Sequence, residues 1–218
     1  MMKLKLEKYE QQKINWPEDG KHVLAQYNDE HVVVYQSYRP AIGLFAAENQ
    51  YFGGEYSYSR MSWIKPNFLW MMYRSGWSTK PGQEIALAIY LKREYFESIL
   101  LNAIPSTNLT GIDQAEWKKQ LARSDVRLQW DPDHNPYGHK MFRRAVQLGL
   151  RNDFLLPFKG EGIIRIENIS NFVAEQYELV KSGDLEFLMT PSERVYPLSG
   201  KAKQALCIEQ DDLSLQGK

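Results

Sequence analysis

The segment Arg60-Met-Ser-Trp-Ile-Lys-Pro-Asn-Phe-Leu-Trp-Met-Met-Tyr-Arg-Ser-Gly-Trp77 carries three tryptophans and three cations within 18 residues. No Asp or Glu occurs between Glu55 and Glu84, whereas Arg60, Lys65, Arg74 and Lys80 all fall there. An uncompensated positive stretch attracts an anion. Arg60 suits phosphate because its planar fork binds two oxygens together. Trp63 and Tyr73 offer flat faces for a ring, and Lys65 and Arg74 flank a helix predicted from Pro66 to Arg74, whose free N–H groups at the start favour anions. A packing explanation competes with this one. Trp63, Trp70 and Trp77 recur every seven residues, the spacing of a buried helical stripe, and Trp70, Met71 and Met72 are assigned to core. Pro66 and Gly76 put Trp63 and Trp77 outside the helix.

Three further polar groups sit on predicted strands. Gln129 and Asp131 point to one side of the strand Val126 to Trp130 and Trp130 to the other. Asp131 also precedes Pro132, a pairing common at turn starts. Gln147 is a lone amide in the apolar run Arg144 to Leu150, so it requires a partner in the protein or in a ligand. Gln36 and Tyr38 close a β-branched strand, where ligands are often met. Glu84 is the acid beside the basic segment, expected as a surface partner of Lys80 or Arg74. His134 and His139, with Asp131 and Asp133, lack metal-binding spacing, so no metal is expected. No Gly-x-Ser-x-Gly elbow is present, and nothing near Cys207 activates a thiolate.

The elements that must position these groups follow from periodicity and punctuation. His22–Tyr27 and His31–Gln36 read as a hairpin about Asn28-Asp29-Glu30, and Ala41–Asn49 as a helix. Arg60–Lys65 is a strand running into the helix 66–74, which Gly76 stops. Ile85–Leu91 is a buried strand, followed by helices over 93–102 and 113–124. Strands at 126–130, 144–150 and 162–169 precede a helix at 172–182, with a loop at 131–139. Residues 1–20 are read as a polar arm, 21–199 as one domain and 200–218 as a partly frayed tail. Irregularly mixed strands and helices define an α+β class with a mixed, mainly antiparallel split sheet and flanking helices.

Composition narrows the functions. The 218 residues balance 27 Lys+Arg against 27 Asp+Glu, so the local surplus is a site-sized feature. Blocks 1–50, 51–150 and 151–218 hold 6, 13 and 8 basic against 7, 9 and 11 acidic residues. One cysteine permits no internal disulfide, and no signal-like or membrane-spanning apolar run occurs, which predicts a cytoplasmic protein with no membrane partner. No Gly-rich phosphate loop follows a strand, which argues against Rossmann and P-loop binding.

Val34–Tyr38, Arg60–Trp77, Gln129-Trp-Asp-Pro132 and Arg144–Leu150 closely resemble the family of domain of unknown function 4291, over about Val23 to Ile169. Ala145 stands where a serine commonly follows the arginine, so no role falls on that hydroxyl. The strand order is in turn similar to the ADP-ribosyltransferase superfamily, whose members hold NAD between two small sheets. That resemblance implies that Gln36, Tyr38, Arg60, Lys65 and Arg74 anchor NAD and that Trp63 or Tyr73 stacks on nicotinamide. It also implies that Gln147 lies where a catalytic Glu is usual. A glutamine there binds a ribose hydroxyl without acting as a base, leaving Glu84 as the candidate carboxylate. Trp77, Gln129, Asp131 and Arg144 complete the acceptor side. The implied reaction is transfer of ADP-ribose from NAD to a small molecule such as thiamine, with release of nicotinamide. The alternative is a single-stranded nucleic-acid module in which Trp63, Tyr73 and Trp77 stack on bases. The sequence pI of 6.9 is low for that role.

Overall fold

The computed structural model describes residues 3–208. In chain order the elements are β1 (Leu6–Lys8), α1 (Tyr9–Gln12), β2 (Leu24–Ala25), β3 (His31–Tyr38), α2 (Pro40–Asn49), β4 (Ser62–Ile64), α3 (Phe68–Ser75), β5 (Ile85–Lys92) and α4 (Arg93–Leu101). There follow β6 (Ala103–Pro105), α5 (Gln114–Arg123), β7 (Val126–His134), β8 (Lys140–Leu150), β9 (Ile163–Asn168), α6 (Ser170–Ser182), β10 (Met189–Pro191), β11 (Arg194–Val195) and α7 (Gly200–Ala205). The class is α+β, as the sequence predicts.

Two main sheets carry the architecture. One is antiparallel, in the order β3-β5-β9; the other has the order β4-β8-β7-β6, its β6–β7 pair being parallel. A bridge joins them: Tyr35 N–H donates to Lys65 O at 2.7 Å, and Lys65 N–H returns to Tyr35 O at 3.3 Å. Beyond that point β3 and β4 separate, so the sheet is split.

Alternation explains the burial. The runs Val32–Val34 and Ala86–Leu91 are apolar on both faces because both faces of the three-stranded sheet are covered. Val32, Val34, Leu87 and Ile89 pack with the inner face of the four-stranded sheet: Ile64, Leu128, Val146 and Leu148. Val33, Tyr35, Ala86 and Ala88 pack under α3 and α6 through Phe68, Met72 and Val173. The outer face of the four-stranded sheet is the polar one.

Several expected boundaries are corrected. α3 starts at Phe68, not Pro66, because Asn67 caps it, its Oδ1 accepting from Trp70 N–H at 2.7 Å. The predicted loop 131–139 is strand as far as His134, because buried Asp133 pairs with Arg143 across β8 at 2.5 Å. That cross-strand pair overrides the turn-forming residues. Within the expected arm, the described residues 3–20 are anchored: β1 pairs with β10, and Tyr9, Gln12 and Trp16 are buried. In the expected tail, α7 packs through Ala202 and Leu206, and Leu206 O accepts from Trp130 Nε1 at 2.9 Å. The remainder of that tail, 209–218, lies outside the described residues. No described helix is long and apolar enough to cross a membrane.

Candidate functional site

A cavity of about 700 Å³ opens where β3 and β4 part. Its walls come from the end of β3, the segment before β4, β4 itself, α3 and the polar face of β7 and β8. Arg39, Arg60, Lys65 and Arg74 reach it, against a single carboxylate on its lining, Glu55. Glu55 is taken by Arg39 in an exposed ion pair at 2.5 Å. The remaining three cations make no ion pair among the described residues.

Lys65 carries the strongest electrostatic signal. Its backbone is fixed by the Tyr35 bridge and it is only 5% exposed, yet its ammonium makes no hydrogen bond or ion pair. Burial, reinforced by the Arg74 cation and opposed by Asp131, pushes its pKa down to about 8. A buried ammonium without a partner is costly, and the side of Lys65 that is left accessible is the one on the cavity.

Gln36 presents the opposite polarity. Its Nε2 donates to Ser62 Oγ at 2.8 Å and to Trp63 O at 3.0 Å, which fixes the amide plane. Its carbonyl oxygen is buried without a donor. Tyr38, two residues on and therefore on the same face, has its hydroxyl 3.0 Å from Ser62 Oγ, with its pKa raised to about 12 by burial.

The outer face of the four-stranded sheet supplies the floor. Register pairs Trp63 with Gly149, Gly149 with Arg127, and Gln147 with Gln129. A Cβ at Gly149 would lie 3.0 Å from the Trp63 ring and 2.6 Å from Met61 Sδ, so glycine is what lets the indole lie flat on β8. Gln129 and Gln147 both line the cavity, and both donate to the Asp131 carboxylate, at 3.1 and 2.8 Å. Burial pushes Asp131 above the usual carboxylate range, opposed by those two amides and by Lys65 and Arg144.

Nine of the expected residues therefore come together: Gln36, Tyr38, Arg60, Trp63, Lys65, Arg74, Gln129 and Gln147 on the lining, and Asp131 bonded to the last two. Four do not. Tyr73 stacks on His134, centroids 3.5 Å apart, and on Trp70. Trp77 is buried against Tyr177 and donates Nε1 to Pro136 O at 3.2 Å. Arg144 is an exposed β8 residue whose N–H bonds Gly20 O. Glu84 makes no ion pair with Lys80 or Arg74; it accepts from Gly82 N–H at 2.8 Å, tying its own loop. Lys80 instead donates to Arg74 O at 2.8 Å, at the end of α3.

The start of α3 also departs from expectation. The group that meets it is the protein's own Glu193 carboxyl, whose Oε1 accepts from Phe68 N–H at 2.7 Å and Oε2 from Asn67 Nδ2 at 3.2 Å, with burial pushing its pKa well above the usual carboxylate range. Any phosphate must be held by the cations alone. Sequence reasoning missed Ser62, which orders both Gln36 and Tyr38, and Arg39, Glu55 and Tyr56 on the rim. The i, i+2 placement of Gln36 and Tyr38 was the available signal, since two buried polar groups on one strand face demand a shared partner.

Fold and cavity together define an α+β protein with a split sheet and an anion-directed, aromatic-floored cleft at the split. The chain matches the domain of unknown function (DUF4291) over residues 22–196 and belongs to that family. No curated protein matches it.

Proposed function

We propose that the protein is an ADP-ribosyltransferase that binds NAD in this cleft and passes ADP-ribose to a small-molecule acceptor, possible acceptors including thiamine. The observation that carries the reading is the buried, unpaired Lys65 ammonium facing a cavity of about 700 Å³, a size within the range used for ligands of this class. In this reading Lys65, Arg60 and Arg74 hold the pyrophosphate. Trp63 stacks on the nicotinamide ring, and Gln36 Oε1 accepts from its carboxamide or from a ribose hydroxyl. Cleavage proceeds through an oxocarbenium-like state, accelerated mainly by positioning and fixed charge.

The nucleic-acid alternative loses two of the three rings it needs, because Tyr73 and Trp77 already stack on His134 and Tyr177. Calorimetry with NAD, together with chromatographic detection of nicotinamide, tests the enzyme reading. Micromolar binding that Lys65→Met weakens by about 100-fold supports it, on the scale of losing a charged hydrogen bond of about 3 kcal/mol. Absence of NAD binding, with salt-sensitive binding of an oligonucleotide instead, overturns it.

A further inference from the structure

One carboxylate lies directly behind two lining residues of the cavity, bonded to both. Glu84 is tied to its own loop by Gly82 N–H, and Glu55 sits on the rim, more than half exposed and paired with Arg39. Asp131 differs from both. It lies on the same outer sheet face as Trp63 and Gln147, and its cross-strand neighbour is the small, buried Ala145. Gln129 Nε2 bonds Oδ1 and Gln147 Nε2 bonds Oδ2, so neither oxygen can rotate, while each retains a lone pair for another contact.

We infer that Asp131 is the catalytic carboxylate of the transfer, accepting the proton of the attacking acceptor, and that Gln129 and Gln147 are its positioning residues. The inference rests on the NAD reading and deepens it by assigning a base. In the step, the bond between ribose C1′ and the pyridinium nitrogen breaks and its electron pair leaves with neutral nicotinamide. The acceptor's oxygen or nitrogen bonds C1′, and its proton passes to Asp131 and then to water. The charged groups facing Asp131 are Lys65 from beyond β4 and Arg144 from β8. Both favour its ionised form, opposing the burial that disfavours it.

The arrangement also explains why glutamine stands at position 147. Its amide donates to a carboxylate, where a glutamate would repel one. Removing that donor raises the carboxylate's pKa, so the acid limb of the rate profile moves to higher pH.

The test measures NAD affinity and nicotinamide release on the full chain and its variants. Asp131→Asn is expected to lower kcat by about 100-fold or more, on the scale of a lost general base, with NAD affinity within threefold of the unsubstituted protein. Gln147→Leu is expected to lower kcat by about tenfold and to shift the acid limb upward, which a merely structural role would not do. Asp131→Asn with unchanged kcat, or with NAD affinity lost in parallel, overturns the assignment while leaving the NAD reading standing. Failure of the unsubstituted protein to bind NAD overturns both.

Discussion

Two clusters of buried charge flank α3 and are built on opposite principles. On the side of the N-terminal segment, Glu193 accepts from Phe68 N–H and Asn67, its own N–H donates to Gln12 Oε1 at 3.0 Å, and Trp16 Nε1 donates to its carbonyl at 2.8 Å. Beside it Asp133 and Arg143 form a buried pair, with the guanidinium over the Trp16 ring. On the cavity side Lys65 has no hydrogen-bonded partner, and Gln36 Oε1 and Ser37 Oγ have none either. The first cluster is closed by the protein and holds the fold together. The second leaves Gln36 Oε1 and Ser37 Oγ without a partner among the described residues, on the lining of the cavity where the proposed ligand would enter.

Variants in the closed cluster should break the fold and those in the open one should not. The largest effect is expected for Arg143→Ala, which strands the Asp133 carboxylate and should lower unfolding free energy by about 3–5 kcal/mol in urea titration. A loss under about 1 kcal/mol would erase the distinction. The two tryptophans divide the same way: Trp77→Ala should cost about 3–5 kcal/mol, against a smaller loss of about 1–2 kcal/mol for the partly buried Trp63→Ala. Trp63→Ala should show its effect in NAD affinity instead.

Lys65→Met should stabilise the free protein by about 1–3 kcal/mol, because it removes a buried charge that makes no hydrogen bond or ion pair among the described residues and that Asp131 only partly offsets. The pH dependence follows in sign. The unfolded lysine keeps its proton up to its ordinary range near 10.5 and the folded one releases it near 8. Stability therefore rises with pH across that window in the parent and stays flat in the Lys65→Met variant.

His134 gives a signal of the same sign at lower pH. It is buried against Trp70 and Tyr73, and burial, reinforced by the Lys140 cation, holds its pKa down to about 4. Its unfolded form takes up a proton near 6.5, so this contribution to stability is lost as pH falls from 6.5 towards 4. His134→Phe should flatten that limb of the thermal-melt profile.

Much of the fold is legible because burial on both faces writes long apolar runs: Val32–Val34 and Ile85–Leu91 read directly as strands. Asp113 is recognisable as the cap of α5, and its Oδ1 accepts from Ala115 and Glu116 N–H. The closed cluster is illegible because its members are single residues far apart, Gln12, Asp133, Arg143 and Glu193, each ordinary among polar neighbours. In the site, strand alternation brings Gln36, Trp63, Gln129 and Gln147 together from pattern alone. Tyr73 and Trp77 fail because residue type does not say which partner an aromatic ring will meet, and His134 and Tyr177 lie 61 and 100 positions away. Glu84 fails because a carboxylate near basic residues in sequence found a closer donor in Gly82 N–H.

The smallest effect is expected at the outer edge of the three-stranded sheet. Gln50, in left-handed conformation at the end of α2, donates Nε2 to Ile166 O and accepts from Ile166 N–H, each at 3.0 Å. Gln50→Ala should cost about 1 kcal/mol in stability and raise light scattering at high concentration. A side-chain amide there occupies the two valences that a neighbouring molecule's backbone would otherwise seek on β9. One residue at a helix end thus covers part of the free edge of the three-stranded sheet.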